Sequence, residues 1–115
     1  MSTDCIFCQI ASGAVPTDKV FEDDQVVVFK DLNPQAPIHL LVIPKKHITT
    51  LEFAEPEDAA LLGKLVYTAK EVAQEQGLEA AGYRLVMNVG EQAGQTVMHI
   101  HLHILAGREL RWPPG

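Results

Sequence analysis

At 115 residues, with 47% apolar and 21% charged side chains, the chain has the length of one domain and enough apolar material for a core. Its formal charge of −6 argues against broad nucleic-acid binding, which needs a basic face, but leaves room for a single nucleotide in a local pocket. No run approaches the ~20 apolar residues of a membrane span and the first residues lack the segments of a secretory leader, so a cytoplasmic protein with reduced thiols is expected.

Taken in chain order, Asp4 is placed to cap a short helix over residues 5–12, which Gly13 ends. Residues 20–22 and 25–30 read as two strands around an Asp23-Asp24 turn. Pro34 and Pro37 mark a loop, and residues 38–43 form a third strand that Pro44 stops. The long helix is predicted over residues 56–76. Pro56 suits its first position, Glu57 and Asp58 suit the positive end of its dipole, and Gly77 closes it. Leu61, Leu62, Leu65, Val66, Ala69, Val72 and Ala73 keep a helical period and make its apolar face. Residues 83–89 and 98–106 are the fourth and fifth strands. The order predicts an α+β fold: a five-stranded antiparallel sheet, one short helix, and one long helix covering one face of the sheet. The tail, residues 108–115, carries Trp112 among prolines. It packs either on a partner, such as a second copy, or on its own subunit.

The run Met98-His99-Ile100-His101-Leu102-His103-Ile104 holds three of the chain's five histidines at every second position. On a strand, Ile100, Leu102 and Ile104 face the core, while His99, His101 and His103 share the other face at roughly 6.5–7 Å spacing. A polar strand face that happens to be histidine is one reading. A metal site is another, although the outer pair spans about 13 Å and one ion cannot take all three on a straight strand. Catalysis on an anion is the third, because imidazole can act as nucleophile, acid and base near neutral pH. The loop Gly90 to Thr96 leads into this strand and favours the third reading. Gly90 and Gly94 let backbone N–H groups approach an anion, and Gln95 and Thr96 add neutral donors. Taken alone, such a loop is more often an ordinary turn.

The run Gly94-Gln95-Thr96-Val97-Met98-His99-Ile100-His101-Leu102-His103-Ile104-Leu105 resembles the signature of the histidine triad (HIT) family. Phe21 to Asp24, Asp31 to His39, Val42 to His47, Gly82 to Arg84 and Trp112 to Gly115 resemble its Hint branch, so the likeness runs from about Cys5 to Gly115. The resemblance implies one HIT-like domain over residues 1–115. It also implies a homodimer whose sheets join, with residues 108–115 reaching the partner. The implied activity is that of a purine nucleoside phosphoramidase, which cuts the P–N bond of AMP or GMP phosphoramidates, including nucleotidylated lysine, and needs no cofactor.

Matched position by position, His101 is the nucleophile that forms a nucleotidyl-histidine, His103 lies near the phosphate and leaving group, His99 orients the nucleophile and His39 is a fourth active-site histidine. Gln95 and Thr96 match the phosphate-contacting pair, beside Gly94; Asp31 matches the ribose carboxylate and Asn88 a polar contact near ribose and phosphate. Ile6, Phe7, Ile10, Phe29, Leu32 and Leu41 match the wall around the base, and Trp112 a tail residue at the partner's site. Read from residues alone, Asp31 before the proline-rich loop is more readily a plain turn residue, and Ile6, Phe7, Ile10 and His39 are core. Thr96 stands where the family usually has Ser, Met98 where Tyr is common in this branch, and Lys30 where close relatives can carry His. A related branch of the family acts on dinucleoside polyphosphates, and a zinc-stabilised nucleotide-binding regulatory module is the reading from outside enzymes.

Cys5-Ile6-Phe7-Cys8 has the spacing of half a zinc site. In some members of the wider family the other half is the histidine matching His47 and the first triad histidine, here His99, giving Cys5, Cys8, His47 and His99 as a structural zinc set. The other reading is two reduced thiols packed as small apolar groups. A redox pair is disfavoured, since the motif does not follow a strand in a βαβ unit.

Overall fold

The computed structural model describes residues 4–115. Its elements are α1 (Ile6–Ser12), β1 (Lys19–Glu22), β2 (Val26–Lys30), β3 (Ile38–Pro44), α2 (Ala59–Glu75), β4 (Arg84–Val86) and β5 (Leu102–Ala106), with single 3₁₀ turns at Leu51–Phe53, Pro56–Asp58 and Glu91–Ala93. The strands form one five-stranded antiparallel sheet in the order β1-β2-β3-β5-β4. This is the expected α+β arrangement. Among the described residues no helix is long and apolar enough to cross a membrane.

Local chemistry explains most boundaries. Asp23 Oδ1 accepts the N–H groups of Gln25 and Val26, both at 2.8 Å, and so closes the turn between β1 and β2. Gly13 takes φ 86° after α1, a left-handed conformation that suits glycine. The cap of α1 differs from expectation. Cys5, not Asp4, is the capping residue, and its Sγ accepts the Cys8 N–H at 3.4 Å. The long helix also starts later than predicted, because Pro56–Asp58 forms a 3₁₀ turn first. There the Asp58 carboxylate accepts Glu55 N–H at 2.8 Å and pairs with Lys46 Nζ, and the two hold its carboxyl below the usual range.

Two apolar layers form. Between the sheet and α2, Leu65, Ala69, Val72 and Ala73 pack on Val26, Val28, Leu40, Val42, Ile100, Leu102 and Ile104. On the opposite face, Phe7, Ile10 and Ala11 of α1 pack on Val27, Phe29, Leu41 and Ile43. The long helix covers one face of the sheet as expected, and α1 covers the other. Val26, Val27, Val28 and Phe29 are all buried, which is the pattern of a strand covered on both faces.

The last two strands are shorter than predicted. β4 pairs with β5 only from Arg84 opposite Leu105 to Val86 opposite His103, so the chain beyond Val86 has no ladder partner. Residues 98–101 do not join the ladder. They turn toward the segment after β3, where Ile100 N–H donates to Ile48 O at 2.8 Å. Only His103 of the three alternating histidines therefore lies on a strand. The alternation of faces survives all the same: Ile100, Leu102 and Ile104 face α2, and Phe7 of α1 packs edge-on against the rings of His99 and His101.

Candidate active site

The antiparallel register puts Leu41 opposite His103 and His39 opposite Leu105, so His39 and His103 rise from neighbouring strands on the α1 side. His39 Nε2 lies 2.8 Å from His103 Nδ1, with the ring centroids 5.1 Å apart. Gln35 N–H donates to His39 Nδ1 at 3.0 Å. In a neutral ring that leaves the one proton on Nε2, which donates to His103 Nδ1. His103 then carries its proton on Nε2, a buried atom that no group among the described residues pairs with. Burial, and then the neighbouring His101 and His39, push the His103 pKa down to about 4. Burial also lowers His39, against the pull of Asp31, whose Oδ2 is 3.3 Å from His39 Nε2.

His101 Nδ1 lies 2.8 Å from the carbonyl oxygen of His99. A carbonyl only accepts, so Nδ1 carries the proton and the Nε2 lone pair is free. The His101 ring lies 5.0 Å from that of His103, closer than a flat strand predicts, and 5.1 Å from Phe7, which packs edge-on.

A cavity of about 210 Å³ joins these rings to the apolar wall. Ile6, Phe7, Ile10, Phe29, Leu32, Leu41, Asp31, Thr96, His101 and His103 all line it, so the structure brings together most of the residues singled out in the sequence. Leu32, at 93% exposure, forms an open lip. Val97 belongs to the lining as well and was missed. It lies outside the alternating run, and only its position beside Thr96 hinted at it.

Other expected residues stand elsewhere. Gln95 is buried, and its amide is spent on backbone: Nε2 donates to Thr49 O at 2.7 Å and Val97 O at 3.1 Å, while Oε1 accepts Gly90 N–H at 2.9 Å. It shapes the loop rather than facing the cavity. Asn88 Nδ2 donates weakly to Gly94 O at 3.4 Å, and Gly94 takes φ 99°, which a side chain would strain. His39 stands behind His103 rather than in the cavity wall. Trp112 is 82% exposed, and the tail is held by Arg84, which donates to Leu110 O and Arg111 O.

A second cluster adjoins the first. One ligating atom each from Cys5, Cys8, His47 and His99 lies within 4.8 Å of all the others. His99 Nε2 donates to Pro44 O at 2.8 Å, so its Nδ1 lone pair faces inward, 3.3 Å from Cys5 Sγ, 3.6 Å from Cys8 Sγ and 3.2 Å from His47 Nδ1. Two thiols and two imidazoles at this spacing are a donor set that suits a tetrahedral metal, with His99 already oriented by its outer partner. Burial, reinforced by Cys5, pushes the Cys8 thiol up to about 11. A cleft of about 520 Å³, lined by Cys5, His47, Thr96 and Met98 among others, gives access to this cluster from outside.

Comparison with known proteins matches residues 12–110 to the HIT domain family. An uncharacterized HIT-like protein of Synechocystis is 53% identical over 115 residues, the whole of both chains. The crystal structure of a HIT family hydrolase from Legionella pneumophila has a TM-score of 0.95 at 52% identity, covering 97% of this chain and 100% of that one. A histidine triad protein from Clostridium difficile has a TM-score of 0.93 at 43% identity, covering 96% of each chain.

Proposed function

This chain belongs to the histidine triad (HIT) family, and we propose that within it the protein is a Hint-type hydrolase of purine nucleoside 5′-phosphoramidates such as AMP-amines. The observation that carries the reading is the pairing of two opposite nitrogens at one cavity. His101 presents a lone pair on Nε2, and His103 presents N–H on Nε2.

In this reading the base lies against Phe7, Phe29, Leu41 and their neighbours, and the sugar hydroxyls bond Asp31. His101 Nε2 attacks phosphorus, a new N–P bond forms, the P–N bond to the amine breaks, and the amine leaves with a proton taken from solvent, which the later attack of water returns. Water then cleaves the nucleotidyl-histidine to the monophosphate. The His99 carbonyl stabilises the positive charge that develops on the His101 ring. His103, kept neutral by its low pKa, donates to a phosphoryl oxygen, and the Thr96 hydroxyl is a second donor.

The Cys5, Cys8, His47 and His99 set is assigned to a structural zinc, which would tie α1 to the segments after β3 and before β5. The protein is taken to act as a cytoplasmic homodimer. Exposed Val66 and Tyr67 on α2, with Trp112 on the tail, support a partner surface.

The test is release of AMP from adenosine 5′-phosphoramidates by the wild type and by His101→Ala. Turnover by the wild type alone, with AMP binding kept in the variant, is the expected result. Turnover by His101→Ala removes the nucleophile. A wild type that binds AMP, cleaves no phosphoramidate and splits dinucleoside polyphosphates would move the protein to the related branch.

A further inference from the structure

Asp31 faces two ways. Its Oδ1 accepts Asn33 N–H at 2.8 Å, and its backbone N–H donates to His39 O at 3.0 Å, so the proline loop is closed at both ends on His39. Its Oδ2 lies 3.3 Å from His39 Nε2, and the residue also lines the nucleotide cavity. The His39 Nε2 proton is donated to His103 Nδ1, and the Asp31 carboxylate lies beside that N–H as its charged neighbour. Asp31, His39 and His103 also have the composition of a metal site. The Gln35 N–H on His39 Nδ1 argues against that use, because it keeps the proton on the nitrogen that would have to ligate.

We propose that Asp31 is a positioning residue for the phosphate end of the site as well as a ligand for the sugar: through His39 it holds His103 in the tautomer whose Nε2–H faces the phosphoryl group. The proposal rests on the nucleotide reading above and deepens it by linking sugar recognition to the donor at phosphorus. A neutral histidine has two tautomers of similar energy, and its partners choose between them. The carboxylate favours N–H on His39 Nε2, and that N–H in turn demands a lone pair on His103 Nδ1. In Asp31→Asn the side-chain oxygen stays with Asn33 N–H, and an NH₂ group meets His39 Nε2–H. Donor then faces donor, and the chain of single tautomers is broken.

Two measurements test this. Nitrogen-15 NMR of the ligand-free protein should show His103 as the Nε2–H tautomer in the wild type and as a mixture in Asp31→Asn. Kinetics with a 2′,3′-dideoxyadenosine 5′-phosphoramidate isolates the second role, because that substrate has no sugar hydroxyls for Asp31 to lose. On it, Asp31→Asn should lower kcat at least about tenfold. A variant kcat equal to the wild type, or an unchanged single tautomer of His103, overturns the proposal. If the wild type cleaves no phosphoramidate, the function fails, and the NMR comparison still decides the positioning role. Asp31→Ser, which keeps an oxygen for Asn33 N–H and removes Oδ2, serves where Asp31→Asn does not fold.

Discussion

The two histidine clusters are built from similar parts and are prepared for opposite chemistry. In one, Gln35 N–H fills the outer nitrogen of His39, so the inner nitrogen carries a proton and the cluster becomes a chain of donors ending at His103 Nε2. In the other, the Pro44 carbonyl takes the outer proton of His99, so the inner nitrogen is a bare lone pair among two thiols and a second imidazole. A backbone group biases each case, with Asp31 adding to it at His39: an N–H behind the ring favours a donor site, and a C=O behind the ring favours a ligand site.

The comparison can be broken most sharply at the ligand side. Cys8→Ser should take bound zinc from one ion per chain to none, read by elemental analysis of protein purified from zinc-supplemented culture. Zinc retained in full would place it elsewhere. On the donor side, His103→Ala should lower kcat by about 10²–10³, the usual loss for one donor to developing charge, and leave zinc content unchanged. Loss of zinc with it would mean that the clusters are not separable.

A smaller effect comes from acid. The folded-state pKa of His103 lies at about 4, against 6.5 for a free ring, and that of His39 is also lowered. Between those values the unfolded chain binds more protons than the folded one, so stability falls as pH drops from 6.5 toward 4 and is level above it. Thermal melts of the metal-free protein across that window check this, and a melting temperature that rises on acidification contradicts it. The smallest change is expected at Gln95→Ala. It unpairs Gly90 N–H and two carbonyls, costs about 1–3 kcal/mol, and leaves both tautomers as they are, read by denaturant melts and by NMR.

Much of this was legible in the residues. The Asp23 turn stands where local patterning placed it, and α2 does so apart from its later start and Val66, which the period put on the apolar face and the fold leaves half exposed. Phe7, Phe29, Asp31 and Thr96, all singled out in the sequence, line one cavity. Other features were not legible, because they depend on partners far along the chain. β5 begins at Leu102 because Ile100 is drawn away to Ile48. Gln95 has the composition of a phosphate contact, yet the Thr49 carbonyl claims its amide. Cys5 displaces Asp4 as the cap of α1, and its sulfur reaches His99 as well as Cys8.

The sequence by itself determined which groups are present and which face each one takes, because alternation along a strand and periodicity along a helix are properties of the local backbone. Only the tertiary structure decided which nitrogen of each ring holds the proton. The two tautomers of imidazole are close in energy, so the choice passes to whichever partner the fold supplies. For His101 that partner is the His99 carbonyl, two residues away; for His99 it is the Pro44 carbonyl, 55 residues away.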